Sequence, residues 1–195
     1  MISIEINDFP TLTSNRLILR KMLVSDIQSL IENVNNPKIS NQIINIPYPY
    51  SEEDAIFRLN FIYQAFKSKE RYIFAINEKN NNEVIGEIGI HLDISNNKAE
   101  VGYWIAENHW NKGYASEALE LILKFGFEQL KLNKIIATHY IDNVSSEKVL
   151  IKNGMIKEGQ LSEHYKINDK YLTVNQYRLT QTEYIKNLST TNFQS

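Results

Sequence analysis

The segment from about Gly113 to Leu130 is the strongest constraint on the fold of this chain of 195 residues. Its charged residues recur at three- and four-residue spacing, and its apolar residues fall on another face, which is the pattern of an amphipathic helix. Three strand-like runs joined by tight polar turns precede the helix and predict an antiparallel meander. These runs are Tyr72–Ile76, Val84–Leu92 and Ala99–Ile105. A helix that buries one face directly after such a meander predicts helices packed on a sheet.

Further elements are predicted on either side of this segment. Ser25 begins a capping box, Ser-x-x-Gln, for one helix, and Ser51 caps another. Residues 34–50 carry three prolines and are predicted to be irregular. In chain order the other predicted elements are a strand at Arg16–Lys21, helices from Ser25 to about Asn33 and from Ser51 to about Lys67, a strand at Lys134–Tyr140, a helix at Asn143–Asn153, and strands at Met155–Leu161 and Leu172–Leu179.

Together these elements predict an α/β (α+β) fold with a mixed, mostly antiparallel sheet of about seven strands flanked by about four helices. Nothing in the chain resembles a linker or a repeat, so we expect one domain over residues 1–195. Its core should cover about 13–180, and a polar tail should follow at about 189–195.

Composition excludes several classes of protein. The net charge of −2 does not provide the clustered Lys and Arg that nucleic-acid binding requires. The chain has no cysteine, which excludes disulfides, thiolate metal sites and a cysteine nucleophile. No stretch approaches about 18 apolar residues, and residues 1–10 lack the pattern of a secretion signal. We therefore expect a cytoplasmic protein whose partners include neither nucleic acid nor membrane.

Residues 112–116, Lys-Gly-Tyr-Ala-Ser, open the long helix and predict an anion site. The first turn of a helix has unpaired N–H groups and the positive end of the helix dipole. Gly113 removes a side chain where an anion must touch the backbone, small Ala115 and Ser116 keep the approach open, and Lys112 adds a positive charge. The physical interpretation is a pyrophosphate cradle. Neither a Walker A nor a dinucleotide pattern is present, and a protein that binds some other nucleotide here stays open as an alternative.

The segment Glu100–Leu119, EVGYWIAENHWNKGYASEAL, closely resembles the coenzyme-A-binding segment of the GNAT N-acetyltransferases. Within that family it looks most like the ribosomal-protein N-terminal acetyltransferases of the RimJ/RimL type. Other segments agree in order over about Thr13 to Leu179, namely Thr13–Arg20, Asn143–Ser146, Val149–Leu150, Asn153–Met155 and Glu158–Gly159 with His164. Trp110 and Asn111 depart from the usual loop pattern, and Asn111 is expected to tighten the loop.

The resemblance implies an enzyme that transfers an acetyl group from acetyl-CoA, its co-substrate, to a primary amine without a metal. The acceptor is expected to be a protein N-terminus or a small molecule, and a homodimer is compatible with the chain. By resemblance, the pantetheine arm of the cofactor is bound by Trp104, Ile105 and Asn143. The pyrophosphate is bound by Lys112, Gly113, Tyr114, Ala115 and Ser116. Ser146 is the expected proton donor to the leaving thiolate. Asn143 also suits a helix cap, and Ser146 a solvated first turn.

Glu87 and Glu100 are the candidate general bases, because each lies in a strand predicted to border the site. A carboxylate there can accept the acceptor's proton directly or through water; alternatively, both side chains face solvent. Since no cysteine can form an acyl-enzyme, we expect direct attack in a ternary complex. A serine acyl-enzyme stays open as an alternative, although the chain has no recognisable serine nucleophile motif. The alternative function is a non-catalytic acyl-CoA-binding sensor or regulatory module. The four histidines have no metal-ligand spacing, and no metal is expected.

Overall fold

The computed structural model describes residues 9–43, 46–81, 83–167 and 169–191. Within these ranges the strands are β1 (Leu12–Thr13), β2 (Leu17–Lys21), β3 (Arg71–Glu78), β4 (Val84–Asp93), β5 (Lys98–Ile105), β6 (Lys134–Tyr140), β7 (Ile156–Ile167) and β8 (Lys170–Thr180). The α-helices are α1 (Ile27–Val34), α2 (Pro37–Ser40), α3 (Glu52–Lys67), α4 (Tyr114–Lys124), α5 (Val144–Lys152) and α6 (Gln181–Thr191). A π-helical turn, Phe125–Gln129, continues α4.

The strands form one mixed sheet in the order β1-β2-β3-β4-β5-β6-β8-β7. β5 and β6 run parallel, whereas the pairs β1–β2, β2–β3, β6–β8 and β7–β8 are antiparallel. The predicted fold class is confirmed. The strand that the sequence did not indicate is β1, which has 2 residues and is too short for an alternating pattern to be visible.

The chain divides into two compact units, Met1–Gly89 with Tyr103–Leu121 and Ile90–Gly102 with Ile122–Ser195. In the first unit, α1 contacts α3 and α3 contacts β3. Leu30 and Val34 of α1 are four residues apart and therefore share one face, which joins a core cluster with Ile62 of α3 and Ile73 of β3. Each such side chain contributes about 1.5–3 kcal/mol when it is fully buried.

The second unit is built around β6. Its residues alternate between buried and partly exposed, and Ile135 pairs with Ala99 of β5 on one side and with Leu179 of β8 on the other. The π-helical turn packs closely on this strand at Gly126, where an added Cβ would lie 2.6 Å from the Ile135 Cδ1. Only glycine fits that contact without a shift of the neighbouring side chain.

Two local predictions near the N-terminus are wrong. Residues 34–50 contain α2, because Pro37 lies in a first helical turn, where no N–H is needed, and Asn36 caps that turn by accepting from the Lys38 N–H at 2.9 Å. Ser25 does not cap α1. The Asp26 carboxylate instead accepts the Leu23 N–H at 2.7 Å, and a short 3₁₀ turn precedes the α-helix.

The C-terminal elements extend further than predicted. β7 extends to Ile167 and β8 begins at Lys170, because backbone pairing continues beyond the predicted ends, through Lys166↔Tyr171 and Ile167↔Lys170. The sequence did not indicate α6, which reaches Thr191. Residues 192–195 of the predicted polar tail lie outside the described residues.

Candidate functional site

The segment between β5 and α4 folds as a tight loop. Asn111 and Gly113 have φ angles of 60° and 81°, in the left-handed region that glycine and asparagine adopt most readily. The Trp110 indole N–H donates to the Ile105 carbonyl oxygen at 2.6 Å. The loop is therefore tied back to the end of β5 by the residue that departs from the family pattern.

Helix α4 begins immediately after Gly113. The Glu117 N–H donates to the Gly113 carbonyl oxygen at 3.1 Å, which closes the first turn. The N–H groups of such a turn point out of the helix end together with the positive end of its dipole. Lys112 is exposed directly before this turn. The arrangement has the features of an anion site at a helix N-terminus.

Two residues to which the sequence reasoning gave no role in the site, Arg16 and Glu117, hold this loop. The Arg16 Nη1 donates to the Lys112 carbonyl oxygen at 2.9 Å, and its Nη2 lies 2.6 Å from the Glu117 Oε2. Arg16 lies in a segment that carries the resemblance, but it is 101 positions from Glu117. One sequence has no signal for a contact over that distance.

The end of β5 is buried where the cofactor arm is expected. Trp104 and Ile105 are 6% and 7% exposed. A Cβ added at Gly86 would lie 2.4 Å from the Trp104 carbonyl oxygen, and the Ala106 N–H donates to the Ile85 carbonyl oxygen at 2.8 Å. The backbone of β4 therefore approaches the end of β5 so closely that no side chain fits at Gly86.

Glu87 of β4 is 6% exposed, so the alternative that it faces solvent is wrong. It is paired with Arg58 of α3, whose Nε lies 3.2 Å from the Glu87 Oε2 and whose Nη2 contacts Oε1. Burial together with the Glu87 charge raises the pKa of Tyr50 to about 12. Burial lowers the pKa of Arg58, but the Glu87 carboxylate outweighs that effect and raises it. This carboxylate thus already has a cationic partner.

Glu100 of β5 is partly buried and belongs to a hydroxyl-rich cluster in the second unit. The Thr138 Oγ1 donates to the Glu100 Oε1 at 2.9 Å, and the Tyr165 hydroxyl lies 3.5 Å from the same oxygen. The Thr138 and Tyr165 hydroxyls are 3.4 Å apart. Burial, and then the Glu100 charge, raise the pKa of Tyr165. Thr138 and Tyr165 were not predicted, because neither belongs to a recognisable motif.

Asn143 caps α5. Its Oδ1 accepts the Ser146 N–H at 3.0 Å, which is the contact expected of an N-cap residue. One turn further along, the Tyr177 hydroxyl donates to the Glu147 carboxylate at 2.6 Å, and burial together with this bond raises the pKa of Tyr177 to about 12. The cap fixes the start of the helix on which Ser146 is carried.

The predicted site residues fall into two groups, each described within its own unit. The first unit contains the loop residues 112–116, the strand end and Glu87; the second contains Glu100, Asn143 and Ser146. His164 is exposed on β7. Among the described residues, no group of three or more His, Asp or Glu side chains is arranged to hold a metal. No helix within the described ranges is both long and apolar enough to cross a membrane.

Residues 16–156 match the model of the acetyltransferase (GNAT) domain. The chain is 30% identical over 174 residues to the uncharacterized N-acetyltransferase YoaA of Bacillus subtilis, covering 89% of this chain and 98% of that protein. It is 34% identical to the ribosomal-protein-serine acetyltransferase of Escherichia coli over 49% of this chain and 54% of that protein. It is 26% identical to the spermidine N(1)-acetyltransferase of Vibrio cholerae, over 88% of this chain and 97% of that protein.

Solved structures of acetyltransferases are similar in fold. A GNAT-family acetyltransferase from Bacillus anthracis superposes with a TM-score of 0.79 at 26% identity, covering 89% of this chain and 99% of that one. RimL, a ribosomal L7/L12 α-N-protein acetyltransferase solved in complex with coenzyme A, superposes with a TM-score of 0.79 at 20% identity, covering 88% and 98%.

Proposed function

This chain belongs to the GNAT family of acetyl-CoA-dependent N-acetyltransferases, and from that premise we propose that it acetylates a primary amine by direct attack in a ternary complex. The observation that carries the proposal is the loop at the start of α4. Gly113 has a φ of 81°, so the backbone turns sharply into the helix, and Gly113 itself adds no side chain beside the first-turn N–H groups. Lys112, Gly113, Tyr114, Ala115 and Ser116 are the proposed pyrophosphate-binding residues.

The acceptor must lose a proton before it attacks. A lysine-like amine has a pKa of about 10.4 and an α-amine about 7.7–8.0, so both are largely protonated at neutral pH. Glu100 is the proposed proton acceptor. The two hydroxyls that approach its carboxylate both do so at Oε1, and within the described part of the chain no hydrogen bond reaches Oε2. Because both hydroxyls approach Oε1, Oε2 is proposed as the oxygen that accepts the proton.

Glu87 is the second candidate base. Its carboxylate is buried and paired with Arg58, and a proton taken up there would break that pair. Removing the charge of one partner in a buried pair costs about 3–5 kcal/mol. We therefore propose Glu100 as the general base in preference to Glu87. The main role proposed for Glu87 is to hold α3 against β4 through its ion pair with Arg58.

The chemical step follows from these assignments. Glu100 takes one proton from the ammonium, and the neutral nitrogen attacks the thioester carbonyl carbon. A C–N bond forms, the C–S bond breaks, and the second proton passes from the nitrogen through water to Ser146, where it replaces the proton given to the thiolate. Glu100 then releases the first proton to solvent. Backbone N–H groups near Trp104 and Ile105 are proposed to polarise the carbonyl. Ser146 is proposed to protonate the thiolate, and Asn143 to orient the cofactor arm in addition to capping α5.

The acceptor is proposed to be a protein N-terminus or a small polyamine-like amine. Relatives carry both kinds of name, a ribosomal-protein-serine acetyltransferase and a spermidine acetyltransferase. The first turn of α3 presents two exposed carboxylates, Glu52 and Glu53, beside Asp54, which is partly buried and bonded to Ser51. These carboxylates suit a cationic acceptor as well as they suit the helix dipole. A cytoplasmic location is proposed with this function.

The direct test measures CoA release from acetyl-CoA with a thiol-reactive dye and a panel of N-terminal peptides, polyamines, amino acids and aminoglycosides. The Gly113→Glu variant puts bulk and negative charge at the proposed pyrophosphate position and is expected to abolish amine-dependent release. Gly159→Ala is the control, because a Cβ there meets nothing within 4 Å. Failure of the wild-type protein to bind acetyl-CoA in calorimetry would overturn the proposal.

A further inference from the structure

We infer that Arg16 is a positioning residue of the acetyl-CoA site, which fixes the loop 110–114 in the conformation that receives the pyrophosphate. The inference rests on the proposed function. Arg16 lies immediately before β2, far along the chain from the loop that it contacts.

The Arg16 guanidinium makes contacts with two parts of the loop and helix start. Its Nη1 donates to the Lys112 carbonyl oxygen at 2.9 Å. Its Nε donates to the Glu117 Oε2 at 2.7 Å, and its Nη2 lies 2.6 Å from that oxygen. One planar group therefore fixes the residue before Gly113 and the first turn after it.

Glu117 is itself fixed to the segment that carries Arg16. Its Oε1 accepts the Ser14 hydroxyl at 2.5 Å and the Arg16 backbone N–H at 3.0 Å. Both carboxylate oxygens are thus used, and the side chain has no freedom to rotate away. The start of β2 and the first turn of α4 are joined as one unit.

Tyr114 is held from the same side. The Arg16 guanidinium carbon lies 4.6 Å from the centre of the Tyr114 ring, a cation–π distance. The Tyr114 hydroxyl bonds to Glu78, whose Oε1 also lies 3.2 Å from the His109 Nδ1. The loop is therefore contacted by Arg16 at the Lys112 backbone and at the Tyr114 side chain, on either side of Gly113.

These contacts are better explained by positioning than by global stability. The Arg16 side chain is 49% exposed, and exposed ion pairs contribute little to unfolding free energy. Its charge is also matched by Glu117, so it adds no net positive charge for the pyrophosphate. What it supplies is geometry, since only a planar guanidinium donates to two acceptors in a fixed fork.

The test compares Arg16→Gln and Arg16→Lys with Arg71→Gln, a control arginine that stacks on Phe61. Two donors are used with the best amine of the panel: acetyl-CoA, and S-acetyl-N-acetylcysteamine, which has the thioester but no pyrophosphate. Both Arg16 variants are expected to raise the KM for acetyl-CoA about tenfold, as loss of a charge-assisted hydrogen bond implies. Their kcat, and their rate with the short donor, should stay within about twofold of wild type. Arg71→Gln should behave as wild type.

Three results would overturn the inference. An equal loss with both donors would show a general effect on folding. Recovery of the wild-type KM by Arg16→Lys would show that charge, and not fork geometry, is what counts. An unchanged KM for acetyl-CoA in Arg16→Gln would leave the residue without a role at the site. Failure of the proposed function is seen separately, because the wild-type protein would then release no CoA.

Discussion

Gly86 is the residue at which the smallest substitution has the largest expected effect on packing. In Gly86→Ala the new Cβ would lie 2.4 Å from the Trp104 carbonyl oxygen and 2.9 Å from the Ile105 Cδ1. The backbone atom cannot move without displacing β5, so we expect the unfolding free energy to fall by about 1–3 kcal/mol. Urea denaturation measures this loss.

Gly102→Ala is the matched control for that prediction, because a Cβ at Gly102 meets nothing within 4 Å. It should change the unfolding free energy by no more than about 0.5 kcal/mol. Similar losses in the two variants would contradict the close approach of β4 to the end of β5.

Glu100 is the residue on which the proposed chemistry depends most. Glu100→Gln keeps the shape of the side chain but removes the proton acceptor, and we expect kcat to fall by about 100-fold or more. Thr138→Val removes the hydroxyl that orients Oε1 and should lower kcat about tenfold. Steady-state kinetics at saturating acetyl-CoA measure both effects.

Thr138→Ser separates orientation of the carboxylate from simple packing. It keeps the hydroxyl and loses only a methyl group, so kcat should return close to that of the wild-type enzyme. If Thr138→Ser is as slow as Thr138→Val, the hydroxyl is not what positions Glu100, and the role assigned to the cluster is wrong.

At the scale of elements, the contribution that the contact of β2 with α4 makes to the stability of the folded state should depend on pH. Burial alone would raise the pKa of Glu117, but the bonds from Ser14 and Arg16 outweigh burial and bring the pKa below its ordinary value of 4.5. A lowered carboxyl pKa stabilises the folded state above the unfolded pKa, and this contribution is lost as the pH falls through the folded pKa. We expect Glu117→Gln to cost about 1 kcal/mol at pH 7, through the bonds from the Ser14 hydroxyl and the Arg16 backbone N–H, since the solvent-screened ion pair itself adds little.

The difference in unfolding free energy between the wild-type protein and Glu117→Gln should therefore shrink below about pH 4.5. Guanidinium denaturation of both proteins at pH 7 and at several lower values measures it. A difference that stays constant through the acid range would mean that Glu117 is not held as an ionised group.

The contact of α3 with β4 is the second element-scale prediction. Arg58→Met leaves the Glu87 carboxylate buried without its cation, and we expect a loss of about 3–5 kcal/mol, reduced by the partial exposure of Arg58. In the double variant Arg58→Met/Glu87→Leu no charge is left unpaired, so much of the stability should return. Thermal unfolding of the single and double variants would show whether they differ; equal melting temperatures would contradict the pairing.

At the scale of the whole molecule, the last helix closes the second unit. The Tyr184 ring stacks on Phe127 at 4.8 Å, and its hydroxyl donates to Glu128 at 2.8 Å. The Arg178 Nη1 also donates to Glu183 at 2.5 Å. A chain that ends at Thr180 loses these contacts and uncovers Phe127, so we expect its unfolding free energy to fall by at least about 2 kcal/mol.

Tyr184→Phe is the control for the truncation, since it removes one hydroxyl and keeps the stacked ring. Its loss of unfolding free energy should be about 1 kcal/mol. If the truncated chain is as stable as wild type in urea, α6 does not contribute to the stability of this unit.

The helices and most strands of this molecule were predictable because local periodicity decides them. The apolar face of α4, the Ser51 cap of α3 and the alternation in β6 depend on residues within one or two turns or strand positions of each other. The helices α2 and α6 are exceptions. α2 lies in a stretch whose prolines predicted irregular structure, and the polar sequence of α6 forms a helix that is stabilised by contacts with Phe127 and Arg178.

What the sequence alone determined was the family, most of the elements and the glycine that precedes α4, because each resides in a short contiguous pattern. The tertiary structure decided which side chains meet: Glu117 with Arg16, 101 positions apart, Glu100 with Tyr165, 65 apart, and Glu87 with Arg58, 29 apart. Any of several carboxylates could pair with any of several cations by composition. Strand order and register select among them, and those depend on the packing of the whole chain.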